Sequence, residues 1–203
     1  MPRSGEESRL RLQRAAFELF QERGYDQTTA AEIAERAGVT ERTFFRHFPD
    51  KKEVLFANEA EFRDTLIGAV ATAPRAFTPL DALLAGFRAV SAELEAYRPY
   101  SETRRKVIAE ARALQERELA KAAALIDGLA EALRGRGVES ARAMLAAHMG
   151  AAAFLHATTS WAGATGAQTE WPAAEGLNAH LDRAFDELRA LAATPPNFRP
   201  TDH

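Results

Sequence analysis

The sequence predicts an all-α protein, with a short N-terminal three-helix unit built around a helix-turn-helix and a longer helical C-terminal part. Three observations predict it. Apolar residues recur at spacings of three and four along most of the chain, the periodicity of a one-sided helix. Alanine is abundant and β-branched residues are sparse, so helix is the inexpensive backbone state, and no period-2 alternation marks a strand. Finally, residues 28–52 carry the small residue, turn glycine and apolar anchors that let two short helices cross closely.

Leu10, Leu12, Ala16, Phe17, Leu19 and Phe20 lie on one side of a first helix over about 6–23, and Gly24 ends it. Thr29, with Glu32 three residues on, forms a capping box that opens a second helix, which stops at Gly38. Thr40 caps a third helix ending near Phe48. Pro49-Asp50 breaks the chain, and a fourth helix is expected from Lys51 to Val70. Further helices are expected over about 79–96, 101–112, 113–134, 138–163 and 173–193. They are separated by Arg98-Pro99, Gly135-Arg136-Gly137, Gly163 to Gly166 and Trp171-Pro172. Asn197 to His203 reads as a frayed tail. The domain boundary is expected near residue 65, giving domains 5–65 and 66–195.

With 46% hydrophobic and 27% charged residues the composition is that of a globular chain. The absence of cysteine excludes a disulfide framework, a thiolate zinc site and a cysteine nucleophile. The first residues are charged, and no apolar run reaches membrane-spanning length, so no membrane partner and a cytoplasmic location are expected. His148 and His156 are eight apart, no Glu-x-x-His pair occurs, and neither a phosphate loop nor a nucleophile elbow is present; no metal, cofactor or catalytic residue is expected. The net charge is −3, but residues 1–52 hold ten Lys/Arg against nine Asp/Glu while the rest holds sixteen against twenty. Only the local placement of the basic residues can therefore argue for nucleic acid.

That placement is informative. Turning the third helix at about 100° per residue puts Phe44 and Phe48 inward together and Arg42, Thr43 and Arg46 outward, with Phe45 and His47 flanking them. A short, basic, hydrogen-bonding face is what major-groove reading requires. Thr28, Thr29 and Thr40 stand at helix starts where backbone N–H groups can meet phosphates, and Lys51 is placed for another. Taken singly, the threonines are also plain caps and the arginines a solvated face.

The stretch TTAAEIAERAGVTERTFFRHFPDKKEVLF, Thr28 to Phe56, with AAFELFQERGYDQTT before it, resembles the N-terminal signature of the TetR family of repressors. The resemblance covers about the first 60 residues. It implies a DNA-binding domain joined to a ligand-binding and dimerisation domain, two subunits on a palindromic double-stranded operator, and release by a small-molecule effector. The family commonly has glycine where Arg42 stands, and a tyrosine that bonds phosphate where Phe45 stands; Phe45 cannot make that bond.

In the C-terminal part, Leu177, Leu181, Phe185 and Leu188 form one apolar stripe, and Leu145, Met149 and Ala152 line a helix rich in small residues. The resemblance implies that these two helices pair with their mates in a homodimer; the alternative is packing within one chain. Phe87, Tyr97, Tyr100, Phe154 and Trp161 are candidates to line an apolar effector pocket, with His148 orienting a polar end; each also reads as core. The rival functions are a helical enzyme or carrier whose N-terminal motif is only structural, and a DNA-binding scaffold without an effector.

Overall fold

The computed structural model describes residues 3–163 and 175–193. Among them are ten α-helices and one 3-10 turn, and no strand: α1 (Arg3–Arg23), α2 (Ala30–Arg36), α3 (Glu41–His47), a 3-10 turn (Glu53–Phe56), α4 (Glu59–Thr72), α5 (Pro79–Ala89), α6 (Ser91–Ala96), α7 (Arg98–Glu110), α8 (Arg112–Gly135), α9 (Ser140–Trp161) and α10 (Leu177–Ala193). The expected breakers at 164–166 and 171–172, the first residues of the expected 173–193 helix, and the tail at 197–203 lie outside the described residues.

Three boundaries differ from expectation, each for a local reason. The fourth helix starts at Glu59, not Lys51. Asp50 Oδ1 accepts the backbone N–H groups of Lys52 (3.0 Å) and Glu53 (3.1 Å), holding a turn there. Val54, Leu55 and Phe56 are then buried in succession, which a one-sided α-helix cannot do. The expected 79–96 helix is two helices, because the Ser91 hydroxyl donates to Arg88 O (2.8 Å) and competes for the helix carbonyl. Arg98-Pro99, read as a breaker, instead begins α7. Proline fits a first helical turn, where its missing N–H would have no partner.

The chain divides into two compact units. The first comprises the described residues up to Asp64 together with Tyr97–Ala123, so residues 97–123, assigned above to the second domain, pack with the N-terminal helices. Its core joins Leu12, Phe17 and Phe20 of α1 to Ile33, Phe44, Phe48, Val54, Val107, Ile108 and Leu114. Phe17 and Tyr100 stack with ring centroids 5.1 Å apart. An ion network holds the 3-10 turn to α7 and α8. Arg104 bonds Leu55 O (3.0 Å) and Glu118 (2.6 Å), Arg117 bonds Glu59 (2.6 Å), and both guanidinium groups lie over the Phe56 ring.

The second unit comprises Thr65–Ala96 and the described residues from Ala124 onward. Its core contains Leu83, Phe87, Leu129, Leu133, Trp161, Leu177, Leu181 and Phe185. Gly86 lets α5 lie against α4: a Cβ there would stand 2.5 Å from Val70 Cγ2 and 3.1 Å from Leu66 O. Glu95 accepts the Leu177 N–H (2.8 Å) and so caps the start of α10. No helix among the described residues is long and apolar enough to cross a membrane.

The dimer stripe expected on α10 is corrected here. Leu177, Leu181 and Phe185 are each 0% exposed within the single chain, because α10 turns that stripe onto α9 and α5. Leu188 is half-buried. The α9 residues behave differently: Leu145 is 61% and Leu155 66% exposed, Ala152 is exposed and Met149 half-buried.

Candidate nucleic-acid interface

The candidate surface is built from caps and one turn. Thr29 Oγ1 accepts the Glu32 N–H (3.2 Å) while Glu32 Oε2 accepts the Thr29 N–H (2.8 Å), the reciprocal capping box that starts α2. Arg23 pairs with Glu32 (2.8 Å), and Arg36 with Glu22 (2.8 Å), tying α1 to α2. Those bonds hold the Glu32 and Glu22 carboxyls below their ordinary range: at Glu32 mainly through Thr29, at Glu22 through Arg36. The chain turns from α2 to α3 at Gly38, whose φ of +67° is costly for any residue with a Cβ. Thr40 then caps α3 by accepting the Thr43 N–H (3.2 Å), and its hydroxyl also shares a hydrogen bond with the Thr43 hydroxyl (3.0 Å).

Phe44 (0% exposed) and Phe48 (2%) anchor α3 in the core, as the helical turn predicts. On the opposite side Arg42 and Arg46, four residues apart, are exposed, and Phe45, flanking them, is exposed too. Neither Arg42 nor Arg46 enters an ion pair among the described residues, whereas Arg23 and Arg36 are held by carboxylates. The two guanidinium groups on the reading face thus keep their donors for another molecule.

Four expected contacts stand differently. Thr28 is 1% exposed; its hydroxyl donates to Gly24 O (2.9 Å) and its N–H to Tyr25 O (3.2 Å), so it closes the end of α1 and offers nothing to a phosphate. The Lys51 ammonium donates to Tyr25 O (2.8 Å) and Thr28 O (3.0 Å) and lies 4.2 Å from the Tyr25 ring centre. It clamps the α1–α2 turn rather than projecting outward. Thr43 is half-buried. His47 is half-buried too, with Nε2 enclosed and without a hydrogen-bond partner. Burial, and then Arg46 and Arg9, push its pKa below the ordinary 6.5, so the ring is neutral at neutral pH. The sequence reading missed Arg9. Its charge acts on His47 from α1, a proximity that no local pattern encodes. Tyr25, beside Lys51, is pushed up to about 12 by burial and by Asp50, Asp26 and Glu53.

The expected effector residues divide between the two units. Tyr97 donates to Gln13 (3.3 Å) and Tyr100 stacks on Phe17, both in the first unit. Phe87 is wholly buried and stacked on Phe154, with centroids 4.4 Å apart, so these rings fill the space they were expected to surround. Trp161 is 4% exposed in the core. His148 is exposed on α9, its Nδ1 on Met144 O (2.9 Å). The second unit instead shows an open groove of 540 Å³ between α5, α9 and α10, lined by Leu80, Leu145 and Met149 with Asp81, Arg142 and Arg189 at its polar side.

A capped, glycine-turned helix pair that turns unpaired arginines outward makes this a helix-turn-helix protein. Residues 12–57 match the model of the bacterial regulatory proteins of the tetR family. The chain is 41% identical over 83 residues to the HTH-type transcriptional regulator TcmR of Streptomyces glaucescens, covering 41% of this chain and 37% of TcmR. It is 38% identical over 73 residues to the HTH-type transcriptional activator FasR of Mycolicibacterium smegmatis, covering 36% of this chain and 33% of FasR. The chain thus spans about a third of the length of the curated relatives it matches. Over nearly the whole length the fold matches that of SmeT in its triclosan complex, with a TM-score of 0.63 and 26% identity, covering 97% of this chain and 98% of SmeT.

Proposed function

We propose that the protein is a sequence-specific DNA-binding transcriptional regulator, a homodimeric cytoplasmic repressor that reads a palindromic operator and leaves it when a small apolar effector binds. The observation that carries this reading is the exposed face of α3, where Arg42 and Arg46 lie open beside Phe45 while Arg23 and Arg36 are paired with carboxylates. Arginine donates two parallel hydrogen bonds to guanine or to phosphate, so an unpaired pair at one helical turn suits a major-groove edge.

The exposed α9 stripe of Leu145, Ala152 and Leu155 supports the dimer, since a two-fold mate would remove it from water. That SmeT was solved in complex with triclosan supports a small molecule as the effector. The effector must bind the arrangement that releases DNA more tightly than the one that holds it, because a ligand with equal affinity for both shifts nothing.

The experiment is a gel shift of the purified protein with the DNA upstream of its own coding sequence. A saturable shift that survives excess unrelated DNA supports the reading; binding that competitor DNA abolishes sinks it. A reporter fused to the same DNA gives the sign of regulation, which matters because FasR is an activator.

A further inference from the structure

The proposed function leaves one feature of the reading face unused. Phe45 is 51% exposed beside two open arginines, whereas Phe44 of the same helix and its C-cap Phe48 are core. Its ring meets the buried Phe44 ring edge-on, at 5.3 Å and 84°. It has no hydroxyl and so cannot bond a phosphate, and half of a large apolar surface is left in water.

We propose that Phe45 is a specificity-determining residue that reads thymine through its C5-methyl group. This rests on the DNA-binding reading above. On the major-groove edge of DNA every base presents hydrogen-bond donors or acceptors, and thymine alone adds an apolar group. An exposed apolar ring beside two guanidinium donors therefore has one base substituent to pack on. Arg42 and Arg46, three residues before it and one after, lie on the same face and would engage neighbouring guanines or phosphates. The pattern expected of each half-site is a thymine flanked by positions that Arg42 and Arg46 contact.

The test is a uracil scan. The full chain first selects its operator from random duplex DNA. Each thymine of that operator is then replaced by uracil, which removes the methyl and leaves the hydrogen-bonding edge intact, and affinity is read by fluorescence anisotropy. One thymine per half-site is expected to lose about fourfold, the worth of one buried methyl, and replacement in both half-sites about fifteenfold. Phe45→Gln is expected to abolish that dependence and Phe45→Leu to keep it. The scan itself needs no variant, and melting curves establish that both variants fold. The proposal is overturned if no thymine-to-uracil change weakens binding. It is equally overturned if the dependence persists in Phe45→Gln, which would assign the methyl to another residue. If no sequence is selected at all, the DNA-binding reading fails, and the assignment of Phe45 falls with it.

Discussion

Lys51 illustrates how one side chain can be placed by residues far along the chain. Its ammonium satisfies the carbonyls of Tyr25 and Thr28 and covers the Tyr25 ring, so its charge is spent within the first unit. Lys51→Met is expected to cost about 1–2 kcal/mol in denaturant titration, the loss of two charge-assisted hydrogen bonds. The salt dependence of DNA binding should be unchanged. A variant of full stability whose salt slope fell by about one per subunit would show instead that Lys51 meets a phosphate. Arg42 and Arg46 were legible from sequence because helical geometry alone puts them opposite Phe44 and Phe48. Thr28, Lys51 and His47 were not. Their fates are decided by the Gly24 carbonyl, by the Tyr25 and Thr28 carbonyls, and by the burial of the His47 ring, none of which a helical wheel displays.

The short helices depend on their caps. Thr29→Ala removes one arm of the α2 capping box and is expected to cost about 1 kcal/mol. Equal melting of variant and parent would contradict that role. α5 depends on a close approach instead: Gly86→Val would drive a branched side chain into Val70 and Leu66, and a loss of about 2 kcal/mol is expected. Acid should weaken the α1–α2 pair. The Glu22 and Glu32 carboxyls are lowered from 4.5, so their stabilisation is full above that value and is lost as pH falls through the lowered native values. His47 acts earlier. Its native pKa lies below 6.5, so the unfolded chain takes up the proton first, and stability falls as pH drops from about 6.5 toward the native value. Melting temperature should therefore decline on acidification, and His47→Gln should remove the first part of that decline. At this scale the sequence predicted the existence of most helices. It misplaced ends where side chains compete for the backbone, as Asp50 and Ser91 do, and where proline opens a helix rather than closing one.

For the whole molecule, one apolar stripe is buried within the chain and the other is exposed. Periodicity marks both α9 and α10 as one-sided but cannot say whether a stripe faces its own chain or a mate. Burial in the single chain separates them. Leu145→Asp places a charge on an exposed face, so the chain should fold while light scattering shows the dimer dissociated. Leu181→Asp buries a charge without a partner and should unfold the second unit. A Leu145→Asp protein that remained dimeric would remove the α9 stripe from the interface. The aromatic pocket was misread for a related reason. Large side chains on several helices fit a cavity or a filled core equally well, and the stacking of Phe87 on Phe154 decides for the core at that place.

The central claim is that the open face of α3 reads DNA bases. Its most direct measurement is the affinity of the Arg46→Ala protein for the selected operator and for every single-base variant of it. Affinity for the operator should fall by about 1–3 kcal/mol, and preference should relax at one symmetric position while standing elsewhere. A loss spread evenly over all sequences, or none, would contradict the claim.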